Sequence, residues 1–225
     1  GGRRPKPGEI SLATGGILFL DELPEFSRAA LETLRQPLED RGVTVSRVEA
    51  TVTYPANFQL VAAMNPCPCG HFPDLARCRC TEGQITRYLQ KISGPLLDRI
   101  DLCVEASPVT YGDVRGGGEN EASGAIRARV EQAREIQKER FMEENIRCNG
   151  EMAGRHIRKY CVLGKEEETF MEEIFEKLAL SARMHDRILK VARTTADLAG
   201  ESKIRLSDLC EAVSYVKSRE KFWGN

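Results

Sequence analysis

The 225-residue chain carries 33 Lys and Arg against 34 Asp and Glu, a formal charge of −1, so no global basic field draws it to a polyanion and any nucleic-acid contact must be a local patch. No apolar run reaches the roughly eighteen residues of a membrane span, and the basic, Pro/Gly-rich start from Gly1 to Gly8 lacks the apolar core of a secretory signal. The composition is that of a globular protein with no membrane contact, and the start reads like the middle of a longer chain.

The first element in chain order is Gly15-Gly16-Ile17-Leu18-Phe19-Leu20-Asp21-Glu22. Four consecutive apolar residues predict a strand buried on both faces, as in a parallel sheet covered by helices. Two carboxylates follow where such a strand emerges at its carboxyl edge, the place where open α/β sheets bind ligands. Apolar strand plus Asp-Glu is the Walker B arrangement of nucleoside triphosphatases. In that arrangement Asp21 holds magnesium, directly or through water, and Glu22 polarises the attacking water. A solvated acidic turn is the plain alternative.

Ser27 is placed to cap a helix carrying Ala30, Leu31, Leu34 and Leu38, which Pro37 should kink or divide and Gly42 should end. Val43–Val45 and Ala50–Tyr54 predict a hairpin with Arg41 and Arg47 near its ends. Phe58–Met64 predicts a further strand, stopping at Asn65-Pro66. A cysteine-rich loop runs from Cys67 to Cys80. Thr81 and Gln84 form a capping box for a helix to about Ile92. Gly94-Pro95 starts a short turn through Arg99, and Ile100–Val104 predicts a strand. A turn-rich connection follows, with Gly112 and Gly116-Gly117-Gly118. Beyond it the pattern is helical: Ser123 caps a helix with Ile126, Val130, Ala133 and Ile136, then come Gly154–Leu163 and a helix marked by Phe170, Ile174, Phe175 and Leu178. Ser181 caps another helix that Gly200 stops, and Ser207 caps the last. The domain reading is 1–107, an α/β part containing the loop 67–80; 108–124, a flexible connection; and 125–225, a helical part.

Single residues add chemistry. Asn65, at the end of a strand beside the first one, has an amide suited to holding the attacking water or the terminal phosphate against Glu22; Asn before Pro is also a common turn former. Arg99, in Leu96-Leu97-Asp98-Arg99-Ile100-Asp101, is either an ion-pair residue or an arginine finger directed at a neighbouring subunit's nucleotide. Arg183 lies in the first turn after Ser181, where the helix dipole disfavours a cation unless both face an anion; a solvated arginine is the alternative. Cys67, Cys69, Cys78 and Cys80 form two Cys-x-Cys pairs with a spacer of eight. Four thiolates are a tetrahedral set for Zn2+, with His71 as a spare ligand; four free thiols in a reduced cytoplasmic protein are the rival. Cys103, Cys148, Cys161 and Cys210 read as packing or incidental residues.

The order of these elements resembles the AAA+ ATPases. More narrowly, Gly8–Ala13, Phe19–Phe26, Asn65–Gly70, Ser93–Asp101 and Arg187–Thr194 resemble the magnesium-chelatase-like branch known as ComM/YifB, over nearly the whole chain except the glycine-rich connection. The resemblance implies a partial AAA+ P-loop NTPase core (parallel sheet with hairpin insertion) followed by an all-α lid. It also implies ATP and Mg2+ as ligands, Asp21 and Glu22 as Walker B, Asn65 as sensor 1, Arg99 as the finger and Arg183 as sensor 2. Residues 43–54 would be the hairpin that in related ring motors points towards the pore. The implied parent is a cytoplasmic, ring-forming, hexameric motor acting on DNA, as ComM-type branch-migration helicases do. A metal-insertion ATPase of the chelatase type is the second enzyme reading, although true chelatase subunits lack the cysteine loop. A non-catalytic zinc-loop module is the third.

One departure matters. The phosphate-binding loop Gly-x-x-x-x-Gly-Lys-Ser/Thr does not occur. Gly164-Lys165 has Lys159 where the first glycine should stand and Glu166 where the hydroxyl should stand. In the family that loop lies upstream, so the expectation is a polypeptide that hydrolyses no ATP by itself.

Overall fold

The computed structural model describes residues 6–46, 51–107, 109, 111–116 and 121–223. Gly1, Arg47, Ala50, Gly117 and Gly118, named above, lie outside them. The chain divides into two units, residues 1–100 and 101–225.

In the first unit α1 (Glu9–Leu12) runs through a turn at Gly15, φ +79°, into β1 (Ile17–Leu20). Ser27 caps α2 (Arg28–Glu32), its hydroxyl accepting the Ala30 N–H at 3.2 Å. Pro37 divides the apolar run as expected. After a turn at Thr33 and Leu34 the chain restarts as α3 (Arg35–Asp40), with Pro37 in the first turn, where no N–H is required. Arg41, at φ +54°, ends α3 in place of Gly42, which instead opens β2 (Gly42–Ser46). β2 and β3 (Thr51–Pro55) form the antiparallel hairpin, Gly42 opposite Pro55 and Ser46 opposite Thr51. One face carries hydroxyl pairs, Thr44–Thr53 at 3.0 Å and Ser46–Thr51 at 3.1 Å. The other carries the half-buried Val43, Val45, Val52 and Tyr54. β4 (Gln59–Ala62) pairs in parallel with β1, Ile17 opposite Gln59 and Leu20 opposite Ala62.

The parallel pairing matches expectation; burial on both faces does not. Ile17 is 62% and Phe19 57% exposed. Among the described residues β1 pairs with β4 alone, and the face carrying Ile17 and Phe19 stays largely open while Leu18 and Leu20 are half-buried. α4 (Glu82–Leu89) opens on the Thr81–Gln84 capping box and stops three residues earlier than the periodicity suggests. α5 (Gly94–Leu97), capped by Ser93, buries Leu96 and Leu97. Ile100–Val104 is irregular, not a strand: no described strand pairs with it, and Leu102 and Val104 are exposed.

The regular elements among the described residues of the second unit are all helical: α6 (Tyr111–Gly116), α7 (Ser123–Arg140), a 3-10 turn at Asn149–Glu151, α8 (Gly154–Tyr160), α9 (Lys165–Lys177), α10 (Ala182–Leu198) and α11 (Leu206–Trp223). Met171, Ile174, Ile188, Ala192, Leu209 and Val213 are central in its core. Of the apolar face expected of α7, Ala133 is buried and Ile136 half-buried, while Ile126 and Val130 are exposed. Ala122, not Ser123, precedes α7, and at the start of α11 the cap-like acceptor is Asp208, which takes the Arg205 N–H at 2.8 Å, not Ser207. Ser181 caps α10 and Gly200, φ +72°, follows its end, both as predicted. Cys161 is a buried packing residue and Cys210 an exposed, incidental one.

A buried polar knot ties this unit together. The Asp197 carboxylate is fully buried. Arg140 grips it with two hydrogen bonds, at 2.7 and 2.5 Å, and Arg193 Nε and Asn149 Nδ2 donate to it at 3.1 and 2.7 Å. Arg193 also donates to the Glu201 and Ser202 carbonyls, fastening the turn after α10. Removing the anion would strand two guanidinium groups, so Asp197→Ala should cost about 3–5 kcal/mol of stability in this unit. Urea unfolding followed by fluorescence of Trp223, the single tryptophan, measures it; a loss below about 1 kcal/mol would show that the knot is not a structural anchor.

Candidate functional site

The hydrogen-bond ladder between β1 and β4 slips by one residue where β1 ends. Gln59 N–H donates to the Gly16 carbonyl at 3.0 Å and Ala63 N–H to that of Leu20 at 2.9 Å. The two-residue repeat of a parallel ladder makes Glu22 N–H the next donor, to the Ala63 carbonyl. That carbonyl instead accepts from Leu23 N–H at 3.0 Å. Glu22 N–H turns onto the Asp21 Oδ1 atom at 2.9 Å, and Glu22 adopts a left-handed backbone, φ 50°, ψ 47°. This is a bulge, and Leu23 and Pro24, both buried, anchor its far side. Its result is that Asp21 and Glu22 stand exposed between two fixed points. A non-glycine residue at positive φ is uncommon and strained, and such residues cluster at functional sites. Nothing in the local residue pattern marks the slip; only the position of the two acids was predictable.

Asn65 lies three residues beyond β4 and is exposed. β4 is parallel to β1, so Asn65 leaves the same edge of the same sheet as the acids. Its side chain lies against Gly70, whose φ is +79°; a Cβ on Gly70 would sit 3.7 Å from Asn65 Oδ1. The predicted neighbours Asp21, Glu22 and Asn65 are thus gathered at one sheet edge. Tyr88 of α4, which sequence reasoning did not single out, is buried beside them. Burial, then the nearby Glu25, Cys67 and Glu22, push its phenol above the ordinary value, while the Asn65 backbone N–H pulls the other way. Helical periodicity identifies Tyr88 as a core residue but not its neighbours.

Cys67, Cys69, Cys78 and Cys80 converge with all four sulfurs within 4.8 Å of one another. Cys67 Sγ lies 3.4 Å from Cys69 Sγ and 3.8 Å from Cys78 Sγ, and Cys69 and Cys78 are 3.6 Å apart. A regular ZnS4 tetrahedron with bonds of about 2.3 Å has edges of about 3.8 Å, so the spacing fits zinc. Phe72 N–H donates to Cys67 Sγ at 3.4 Å. The His71 and Arg79 backbone N–H groups draw the Cys69 thiol down to about 6, while burial and the neighbouring sulfurs push Cys80 up to about 12. Four sulfurs this close cannot all ionise unless a cation offsets them. His71 is not among the converging groups.

Arg99 follows α5. Its guanidinium pairs with Glu39 of α3, Nη1 donates to the Pro95 carbonyl at 2.6 Å, and Nε is buried without an acceptor. The side chain is only 16% exposed. Arg183 stands in the second unit, exposed in the first turn of α10, with no hydrogen-bond or ion-pair partner among the described residues. One turn on, Arg187 is buried and pairs with Asp101 at 2.9 Å.

Comparison with known proteins matches residues 1–114 to the family described as magnesium chelatase, subunit ChlI, and residues 120–216 to the C-terminal region of that subunit. Competence protein ComM of Haemophilus influenzae is 48% identical over 216 residues, 96% of this chain and 42% of that protein. YifB of Salmonella typhimurium and YifB of Escherichia coli are 47% and 46% identical over the same spans. The chain therefore covers less than half the length of these relatives.

The bulge makes a direct stability forecast. Glycine should relieve the left-handed strain at position 22, and a β-branched residue should aggravate it. Glu22→Gly is expected to melt above the wild type and Glu22→Val below it, a spread of about 2 kcal/mol between the variants. Thermal unfolding by far-UV circular dichroism checks the order; a glycine variant less stable than the valine variant would contradict the strained conformation.

Proposed function

The chain belongs to the magnesium-chelatase-like AAA+ family, in the branch of ComM and YifB, and from that premise we propose that it is part of an ATP-hydrolysing ring motor. The observation that carries this reading is the bulged exit of β1. It presents Asp21 and Glu22 at the carboxyl edge of a parallel sheet beside Asn65. Magnesium fits Asp21, whose Oδ2 is left for a hard cation or its water while Oδ1 accepts the Glu22 N–H. The bound nucleotide and metal supply the phosphoryl group and its charge neutralisation. The chain's own part is orientation: Glu22 polarises water, Asn65 holds it in place, and Arg183, a cation at a helix N-terminus, meets phosphate charge. Arg99 serves as the finger in this reading, and it must leave Glu39 to reach a neighbouring protomer's nucleotide. A sixfold cytoplasmic ring is the assembly these roles require of the family; among the described residues no helix is long and apolar enough to cross a membrane.

DNA is the proposed substrate, supported by the resemblance to branch-migration helicases and by nothing in the net charge. Metal insertion into a porphyrin is the alternative, favoured by the description of the matching family. ATPase stimulation by DNA in the complete protein, with Arg47→Glu as the weakened variant, separates the two.

In a protein that also carries the phosphate-binding loop, Glu22→Gln should lower kcat by about a hundredfold or more with nucleotide binding retained. Arg99→Ala should lower it about a thousandfold. The 225-residue chain by itself should release no phosphate in a malachite-green assay. Magnesium-dependent turnover by that chain, abolished by Glu22→Gln, would refute this part.

We also assign the four-cysteine centre to structural Zn2+, held by Cys67, Cys69, Cys78 and Cys80. Zinc there cross-links the two ends of the loop and performs no chemistry. Elemental analysis of protein purified without chelators should find one zinc per chain, lost in Cys78→Ser. Less than about 0.2 metal per wild-type chain would count against it.

A further inference from the structure

A concavity of about 450 Å³ opens beside the cysteine centre, lined by Cys69, His71, Ala76, Arg77 and Arg79. Neither guanidinium in it has a hydrogen-bond or ion-pair partner among the described residues, and both side chains are exposed. The one acid of the loop, Asp74, is exposed, and its Oδ1 accepts the Ala76 and Arg77 backbone N–H groups at 3.0 and 3.3 Å. The backbone donors that would otherwise form an anion nest face sulfur instead. Phe72 N–H donates to Cys67, and those of His71 and Arg79 to Cys69. The trough itself is lined by two arginines and a histidine and by no acid, in a chain whose overall charge is near zero.

From this arrangement we propose that the trough binds a phosphodiester backbone, with Arg77 and Arg79 as its contacts. A nucleoside triphosphate is the poorer fit, because compact polyphosphates are cradled by backbone N–H groups and these are committed to sulfur. A linear polyanion needs only spaced cations along an open surface, and such contacts carry no base sequence. Arginine suits the role because its planar fork matches phosphate oxygens in pairs. The cysteine centre fixes both ends of the loop, so the two arginines stay in place while the strand passes. This inference deepens the reading of the parent as a DNA-acting motor and gives that reading a binding surface.

The test is fluorescence anisotropy of a labelled single-stranded oligonucleotide with the 225-residue chain. Arg77→Glu/Arg79→Glu should weaken binding about tenfold or more and flatten the salt slope by about 1.4, or about 0.7 for each phosphate that is no longer neutralised. The neutral pair Arg77→Gln/Arg79→Gln should fall between, with metal content unchanged as the check that the loop is intact. Arg158→Glu, on the second unit, should bind as the wild type does. Wild-type affinity in the double variant, or no binding by the wild type, overturns the trough as a strand site. Displacement of the oligonucleotide by inorganic phosphate at equal phosphate concentration overturns the strand assignment in favour of a free-anion site. The motor reading fails separately, by absence of DNA-stimulated ATP hydrolysis in the complete protein.

Discussion

The parallel pairing of β1 with β4 is the constraint on which the first unit depends. Two strands running the same way deliver their carboxyl ends to one edge, and so bring Asp21, Glu22 and Asn65 together across some forty residues of intervening chain. The one-residue slip at that edge then decides what the acids can do. A regular ladder would tie Glu22 N–H to the Ala63 carbonyl and continue the strand. Shifting that bond to Leu23 frees two consecutive carboxylates from the sheet's alternation, so both face outward where a strand would send them to opposite faces. Left-handed strain at Glu22 is the local penalty of this display, and the buried Leu23 and Pro24 hold it in place.

Legibility followed the range of the interaction. Caps and breakers act within four residues, so Ser27, Pro37, Thr81, Ser181 and Gly200 were readable, as was the alternation that makes the hairpin two-faced. Burial depends on what lies alongside, and there the reading failed. The run Ile17–Leu20 has the composition of a covered strand, yet Phe19 is largely exposed because one neighbouring strand and no covering layer are described. Ile100–Val104 fails for the same reason, since a β-prone sequence without a partner has nowhere to place its hydrogen bonds. At the site, residue types and order identified Asp21, Glu22 and Asn65. The bulge, the position of Tyr88 and the grip of Glu39 on Arg99 are long-range geometry, and no local pattern encodes them.

The second unit is organised by a buried charge rather than by strands. Asp197 is encircled by Arg140, Arg193 and Asn149, groups drawn from α7, the turn before α8, and α10 itself. Such a centre demands that every partner arrive together, so it selects one packing of the helices where an apolar contact would tolerate several. The same helix α10 divides its arginines by depth. Arg187 and Arg193 are buried and paired, and Arg183 stands exposed at the amino end without a partner among the described residues. Helix energetics place cations away from that end, and the buried arginines show that this helix holds a cation wherever it gains an anion. That contrast supports the proposed role of Arg183 towards phosphate charge.

In the proposed reading, the loop between Asn65 and α4 would give the cysteines a role beyond tethering. Cys67 lies two residues after Asn65, and Thr81, the cap of α4, directly follows Cys80. α4 in turn carries Tyr88 back to the neighbourhood of Asn65 and Glu22. Closing the four sulfurs on one cation would therefore fix the chain on both sides of the loop: the exit of β4 that presents Asn65, and the start of the helix that places Tyr88. Rigidity is what a water-positioning amide requires, since a shift of an ångström in such a group costs heavily in rate. With a cation bound, the cysteine centre would set the precision of the sheet edge, and the outward arginines would be a second consequence of the same fixed loop.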